Sequence, residues 1–154
     1  MSDRITLRYP HVYTGPDGRS TIGEGELEGF DKESMGGSSG EQFNLPFAEG
    51  PMKIMFSVLP ADFDGDWHEN PRPQWILPTK GGWWVETQDG KRVELREGDL
   101  SFGGDQNTTA DADGNKGHRS GTLDGKPCEM MIVQLLDDKY VGAKPGELER
   151  HADA

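Results

Sequence analysis

The sequence has a single cysteine in 154 residues, so no disulfide can form within the chain. Cys128 sits in the apolar run Cys128-Glu129-Met130-Met131-Ile132-Val133 and reads as a small buried hydrophobe rather than a nucleophile. Basic residues are few: 16 Lys and Arg face 28 Asp and Glu, for a net charge of −12. With no basic stripe to neutralise phosphates, neither nucleic acid nor an anionic membrane surface is an expected partner. No apolar run is long enough to span a bilayer. Met1-Ser2-Asp3-Arg4 leads into polar, strand-like sequence without a signal-peptide pattern, so the cytoplasm is the expected compartment. Apolar residues are scarce at 32%, yet 22 Gly bring the apolar-plus-glycine share near that of folded domains. A phosphate-binding loop and paired cysteines are absent.

What is present is punctuation. Ten Pro and 22 Gly cut the chain into short segments joined by tight corners, which suits an all-β protein better than a helix bundle. Residues 4–9 alternate polar and apolar as a half-buried strand does, and His11-Val12-Tyr13 extends the pattern past Pro10. Gly15-Pro16-Asp17-Gly18 is a turn, and the acidic, Gly-broken stretch after it reads as an edge strand. Residues 33–50 have the composition of a flexible Gly/Ser-rich loop, either a lid over a pocket or a plain surface excursion. Residues 52–59 read as a buried strand that Pro60 ends. Residues 83–87 and 92–95 form a hairpin around Asp89-Gly90. Residues 130–136 are a last apolar strand. Residues 137–154 are a charged tail with one short helix or none. The expectation is one domain over 1–154: edge strands in 4–30, a barrel core over about 52–136, and eight to ten short strands in a sandwich or barrel.

The chemistry concentrates in Gly65-Asp66-Trp67-His68-Glu69-Asn70-Pro71-Arg72-Pro73-Gln74-Trp75. On a strand, residues 68, 70, 72 and 74 share one face, so an inward His68 brings Asn70, Arg72 and Gln74 with it. Asp66 is placed to orient His68, and Asp105 ends a strand at a barrel mouth. Either carboxylate is a candidate general base. An inward Arg72 pairs with Asp105 or Asp66, or clamps an anionic substrate group. Trp67, Trp75, Trp83 and Trp84 line an apolar pocket or fill the core; Trp67 and Trp84, with Asp66 and Asn70, are taken as pocket residues. His11 and His151 have no supporting neighbours and read as surface residues. Residues 111–115 look faintly like a calcium loop but lack the later Glu.

The order strand, His68-Glu69-Asn70, Gln74, Gly81, strand, Asp-Gly hairpin, strand, Gly98-Asp99, strand, loop, His118, strand resembles a single-domain cupin over residues 52–136. That resemblance implies a double-stranded β-helix, or jelly-roll barrel. It also implies a metal held by His68, Gln74 and His118, the ion being Fe, Mn, Zn or Ni. Asn70 stands where the second histidine of the first motif usually stands and Gln74 where Glu does. The Pro-x-Gly before the last histidine is missing. The missing histidine weakens the case for oxygen chemistry. The expectation is therefore a small-molecule enzyme doing non-redox work (isomerase, lyase or cyclase type) on a small organic acid or carbonyl compound. His68, Asp105, Arg72 and His118 are its catalytic residues. A metal-dependent dioxygenase and a non-catalytic ligand-binding module are the alternatives. An edge strand at residues 5–9 suggests a homodimer.

Overall fold

The computed structural model describes residues 4–152. Twelve strands follow one another: β1 Leu7–Thr14, β2 Ser20–Leu27, β3 Asp31–Ser34, β4 Glu41–Asn44, β5 Met52–Leu59, β6 Asp64–His68, β7 Gln74–Lys80, β8 Trp83–Thr87, β9 Arg92–Leu95, β10 Ser101–Gly104, β11 His118–Thr122 and β12 Cys128–Leu135. A 3-10 turn at Asp138–Tyr140 and one short helix, α1 Leu148–Ala152, close the described chain. No helix among the described residues is long and apolar enough to cross a membrane.

Two sheets face each other. One has the order β2-β1-β10-β7-β12-β5 and the other β6-β11-β8-β9. The eight strands from β5 onward divide between the sheets as β5-β12-β7-β10 and β6-β11-β8-β9, which is the strand order of a double-sheet jelly roll. The hairpin β1–β2 widens the first sheet by pairing β1 in parallel with β10. Pro10 is tolerated inside β1 because pairing with β10 begins only at His11, opposite Phe102. The Asp89-Gly90 corner forms as its composition predicts: Gly90 takes a φ of 82° and its N–H donates to the Thr87 carbonyl at 2.9 Å, joining β8 to β9.

Strand alternation sorts the core into two layers. Ile76, Trp83, Val85, Leu95, Cys128, Met130 and Ile132 point between the sheets. Tyr9, Trp75 and Phe102 point out of the six-stranded sheet, where Leu45, Phe47, Tyr140, Ala143 and Leu148 cover them. Burying each such side chain contributes roughly 1.5–3 kcal/mol, so this outer layer is a second core.

Four sequence expectations change here. Residues 33–50 are not a plain loop: β3 and β4 form an exposed hairpin, and the segment after it packs on Trp75 at the outer layer. Nothing in that hairpin covers the barrel mouth. Strand β5 is not buried: it is an edge, and its outward side chains are exposed. Strand β1 is not an outer strand of its sheet, because it lies between β2 and β10, although pairing with β10 runs only from His11 to Tyr13 and residues 7–9 pair with β2 alone. His11 is not at the surface: it is fully buried against Tyr13 and Phe102. The side chain of His151 lies outside the described residues.

Candidate functional site

The jelly roll carries its polar residues to one mouth. His68 ends β6, Gln74 opens β7, Asp105 follows β10 and His118 opens β11. The two histidines are cross-strand partners, His118 opposite His68, and their ring centroids lie 4.6 Å apart. Together with Asn70 and Gln74 they line a cavity of about 110 Å³ whose inner wall is apolar, including Phe63, Ile76, Trp83, Met130 and Ile132.

Asp105 is wholly buried and does not line the cavity; it stands behind His118. Its Oδ2 lies 2.6 Å from His118 Nδ1. Its Oδ1 accepts from the backbone N–H of Asn70 at 2.9 Å and from the Asn70 carboxamide at 2.7 Å. Burial pushes this carboxyl up, but the hydrogen bonds and charge of His118 and the Asn70 donors outweigh burial. The net result is a carboxyl held below its ordinary value. An ionised carboxylate only accepts, so His118 carries a proton on Nδ1 in either charge state, and in the neutral ring Nε2 is the free nitrogen. The same logic applies to His68, whose Nδ1 lies 2.6 Å from the carbonyl of Asp66. A carbonyl cannot donate, so Nδ1 holds the proton there too. Among the described residues, neither imidazole Nε2 has a hydrogen-bond partner.

The amides are ordered by the same carboxylate. Asn70 gives its NH₂ to Asp105, so its oxygen accepts from Gln74 at 2.8 Å. Gln74 then turns its own oxygen to the Gln134 amide at 3.0 Å. The chain Gln134 to Gln74 to Asn70 to Asp105 is directional throughout, with no amide free to flip without losing a bond. The polar loop after Asp105 is tied down by Glu69, whose Oε2 accepts from the Thr108 N–H at 2.7 Å and hydroxyl at 2.5 Å. Gly117 donates to that same hydroxyl at 2.9 Å, and at a φ of 71° it passes so close to the His68 carbonyl that no Cβ fits.

Of the residues the sequence points to, His68, Asn70, Gln74 and His118 meet at the cavity, with Asp105 behind them. The others do not join them. Arg72 turns away: it binds the Leu136 carbonyl and lies 3.4 Å from Asp138. Pro71 and Pro73 interrupt the strand, β7 starts only at Gln74, and the alternation that would turn Arg72 inward does not run through. Trp84 points outward on β8, under the Arg92 guanidinium at 4.0 Å; its neighbour Trp83 lines the cavity instead. Trp67 lies off the cavity, near Arg119. The Asp66 carboxylate accepts from the Trp67 N–H, and only its backbone carbonyl reaches His68.

Three residues were missed by the motif reading. Gln134 falls in step with Cys128, Met130 and Ile132, so period-two spacing along residues 128–134 already places it inward. Glu69 and Gly103 carried no sequence signal of this kind. Gly103 faces Asn70 so closely that a Cβ would strike the carboxamide.

The donor set falls short of a firmly held metal. Among the described residues no three His, Cys, Asp or Glu side chains are placed to hold a metal ion. The one nearby carboxylate is spent on His118 and Asn70, and the Gln74 oxygen is engaged by Gln134. Two neutral imidazoles remain, where zinc sites take three or four protein ligands.

No family model matches the chain, and no curated protein matches it. Among solved structures it is similar to protein NMB1881 from Neisseria meningitidis, with a TM-score of 0.40 and 18% identity over 55% of this chain and 73% of that one. It is also similar to the cupin domain of Schizosaccharomyces pombe Cnp3, with a TM-score of 0.42 and 7% identity over 89% of this chain and 86% of that one. The strand order of the two sheets makes the chain a double-sheet jelly roll, with both histidines at one mouth.

Proposed function

We propose that the chain is a small-molecule enzyme that moves a proton on a small neutral carbonyl compound, as isomerases and lyases do. The observation that carries this reading is the Asp105–His118 pair at 2.6 Å, which leaves His118 Nε2 as an oriented base in a cavity beside His68. One proton shared between the two rings makes one an acid and the other a base. His118 Nε2 takes the proton from the carbon next to the carbonyl, and the electron pair moves into the enolate. The proton on His68 Nε2 passes to the enolate oxygen. In an enol that is conjugated or carries a neighbouring hydroxyl, return of the His118 proton to a different carbon, as His68 takes back an O–H proton, completes an isomerisation and restores both rings. Asp105 lies against the ring that becomes positive and holds its tautomer.

The substrate is expected to be neutral rather than an organic acid. No Lys or Arg lines the cavity, Arg72 faces away, and Asp105 is already a buried negative charge. The part of it that enters the pocket is also small, since an apolar cavity of about 150 Å³ holds benzene and this open pocket offers about 110 Å³.

A second reading keeps the metal. Asp105 behind His118 matches the carboxylate–histidine arrangement that orients metal-bound imidazoles, and His68 Nε2 is free beside it. One experiment separates the readings. The full-length protein is incubated in D₂O with a panel of small aldehydes and ketones, with and without a chelator, and deuterium next to the carbonyl is followed by NMR. Chelator-resistant incorporation that His118→Ala abolishes supports the acid/base enzyme. Incorporation restored only by Fe, Mn, Ni or Zn favours the metal. Saturable shifts without incorporation would leave a binding module and sink the proposal.

A further inference from the structure

The outward side chains of β5 form an uninterrupted apolar row, Met52, Ile54, Phe56 and Val58. The last three are 63%, 82% and 65% exposed. Strand β5 is also an edge of the six-stranded sheet. Edge strands are normally blunted by charge, proline or a bulge. The opposite edge, β2, carries Glu24 and Glu26. The outward row of β5 carries none of the 28 acidic residues of the chain.

This row continues a layer that is covered elsewhere. Met131 and Leu77 stand beside Phe56 across β12 and β7, on the same outward face and half-buried. Further along the sheet, Trp75, Phe102 and Tyr9 on that face are sealed by residues 45–48 and by the segment around Tyr140 and Leu148. The outer core is thus closed by the chain itself at one side and left open at β5. The four β5 side chains leave on the order of 400 Å² of apolar surface, the size of patch that marks an interaction site on a monomer. A standard interface covers roughly 800 Å² per partner, so the row supplies about half of one, and Leu77 and Met131 extend it.

We propose that this face is covered by the same face of a second copy of the chain, related by a two-fold axis. A two-fold needs a surface complementary to itself, and an uncharged row with one large ring between two smaller branched side chains is that. Sheets packed at the aligned angle of about 30° set the Phe56 ring of one copy against Ile54 or Val58 of the other. Charge points the same way. Each copy carries −12, so two copies approach most easily where carboxylates are sparse: the row itself has none, and Glu129, opposite Val58, stands at one end of the face. A hetero-partner would draw its specificity from charge complementarity, which this row does not offer.

Sedimentation velocity of the full chain over a wide concentration range tests this. The wild type should sediment as a dimer of twice 17.0 kDa. Phe56→Glu and Ile54→Lys should each weaken the dimer by about 100-fold or more, since each buries an unpaired charge in an apolar interface. Both positions are exposed, so tryptophan near-UV circular dichroism should stay unchanged. Glu24→Lys on β2 should leave the dimer intact. A wild type that stays monomeric throughout overturns the proposal, whether or not the face then takes up neutral lipid vesicles. A dimer that survives both β5 substitutions overturns it as well.

Discussion

Asp105 settles the chemistry of its neighbours because it can only accept hydrogen bonds. It fixes the His118 proton on Nδ1 and starts the chain of amide orientations that ends at Gln134. Asp105→Asn keeps the shape and changes this logic. The new oxygen stays with the two Asn70 donors, so the new NH₂ faces His118 Nδ1 and forces it to accept. The imidazole proton then moves to Nε2, and the cavity loses its base. Nitrogen NMR should show His118 switching from the Nδ1–H to the Nε2–H tautomer. Any proton-transfer activity should fall about 10²–10⁴-fold, the usual contribution of a general base. An unchanged tautomer would contradict the assignment. His68 gives the internal control, since its Nδ1 is held by the Asp66 carbonyl and should keep its proton in both proteins. The sequence made His68, Gln74 and His118 legible by residue type and spacing. It could not say that Asp105 serves His118 rather than a substrate, because that depends on two residues 13 apart meeting across a folded loop.

Strands decide which residues of a motif can meet. Residues 128–134 keep their period, so Met130, Ile132 and Gln134 all face inward as alternation requires. The motif around residues 68–74 does not, because two prolines separate β6 from β7 and turn Arg72 outward. Strand β10 contributes through an absence. Gly103 faces inward at the point where Asn70 packs, and its φ is not in the left-handed region, so the glycine is needed for room alone. Gly103→Ala should push the Asn70 carboxamide aside and strip Asp105 of its Asn70 donors. Overpacking a filled site of this kind costs about 1–3 kcal/mol. The urea midpoint should drop accordingly, and the His118 Nδ1–H resonance should broaden or shift. A midpoint and resonance equal to wild type would mean that the site is looser than its geometry.

At the scale of the whole molecule, two features act against folding at low pH. Burial lowers His11 to about 4, the Ala143 backbone offsetting this only in part, and neither ring nitrogen makes a well-formed hydrogen bond. The unfolded chain takes up this proton near the ordinary value of 6.5. Between 6.5 and about 4 the unfolded state therefore binds more protons, and stability falls as pH drops. The loss from this one residue is roughly 3 kcal/mol once the pH is below both values. Asp105, held low in the fold, gives stability above its ordinary value of 3.8 that is lost as pH falls through its lower folded value. His11→Phe, set among Tyr13 and Phe102, should flatten the first of these slopes. Urea unfolding at pH 7 and at pH 4.5 measures it. The wild type should lose stability between the two and the variant much less. Equal losses would mean that His11 is not the group responsible. The sequence by itself determined the all-β class, the hairpin corners and the cluster of polar residues around His68, because these follow from local spacing and turn chemistry. Only the tertiary structure decided that His11 is buried, that β5 is an open edge, and that Asp105 rather than Arg72 completes the site. Those outcomes depend on which strands become neighbours, and pairing across the sheets is a property of the whole chain rather than of any segment.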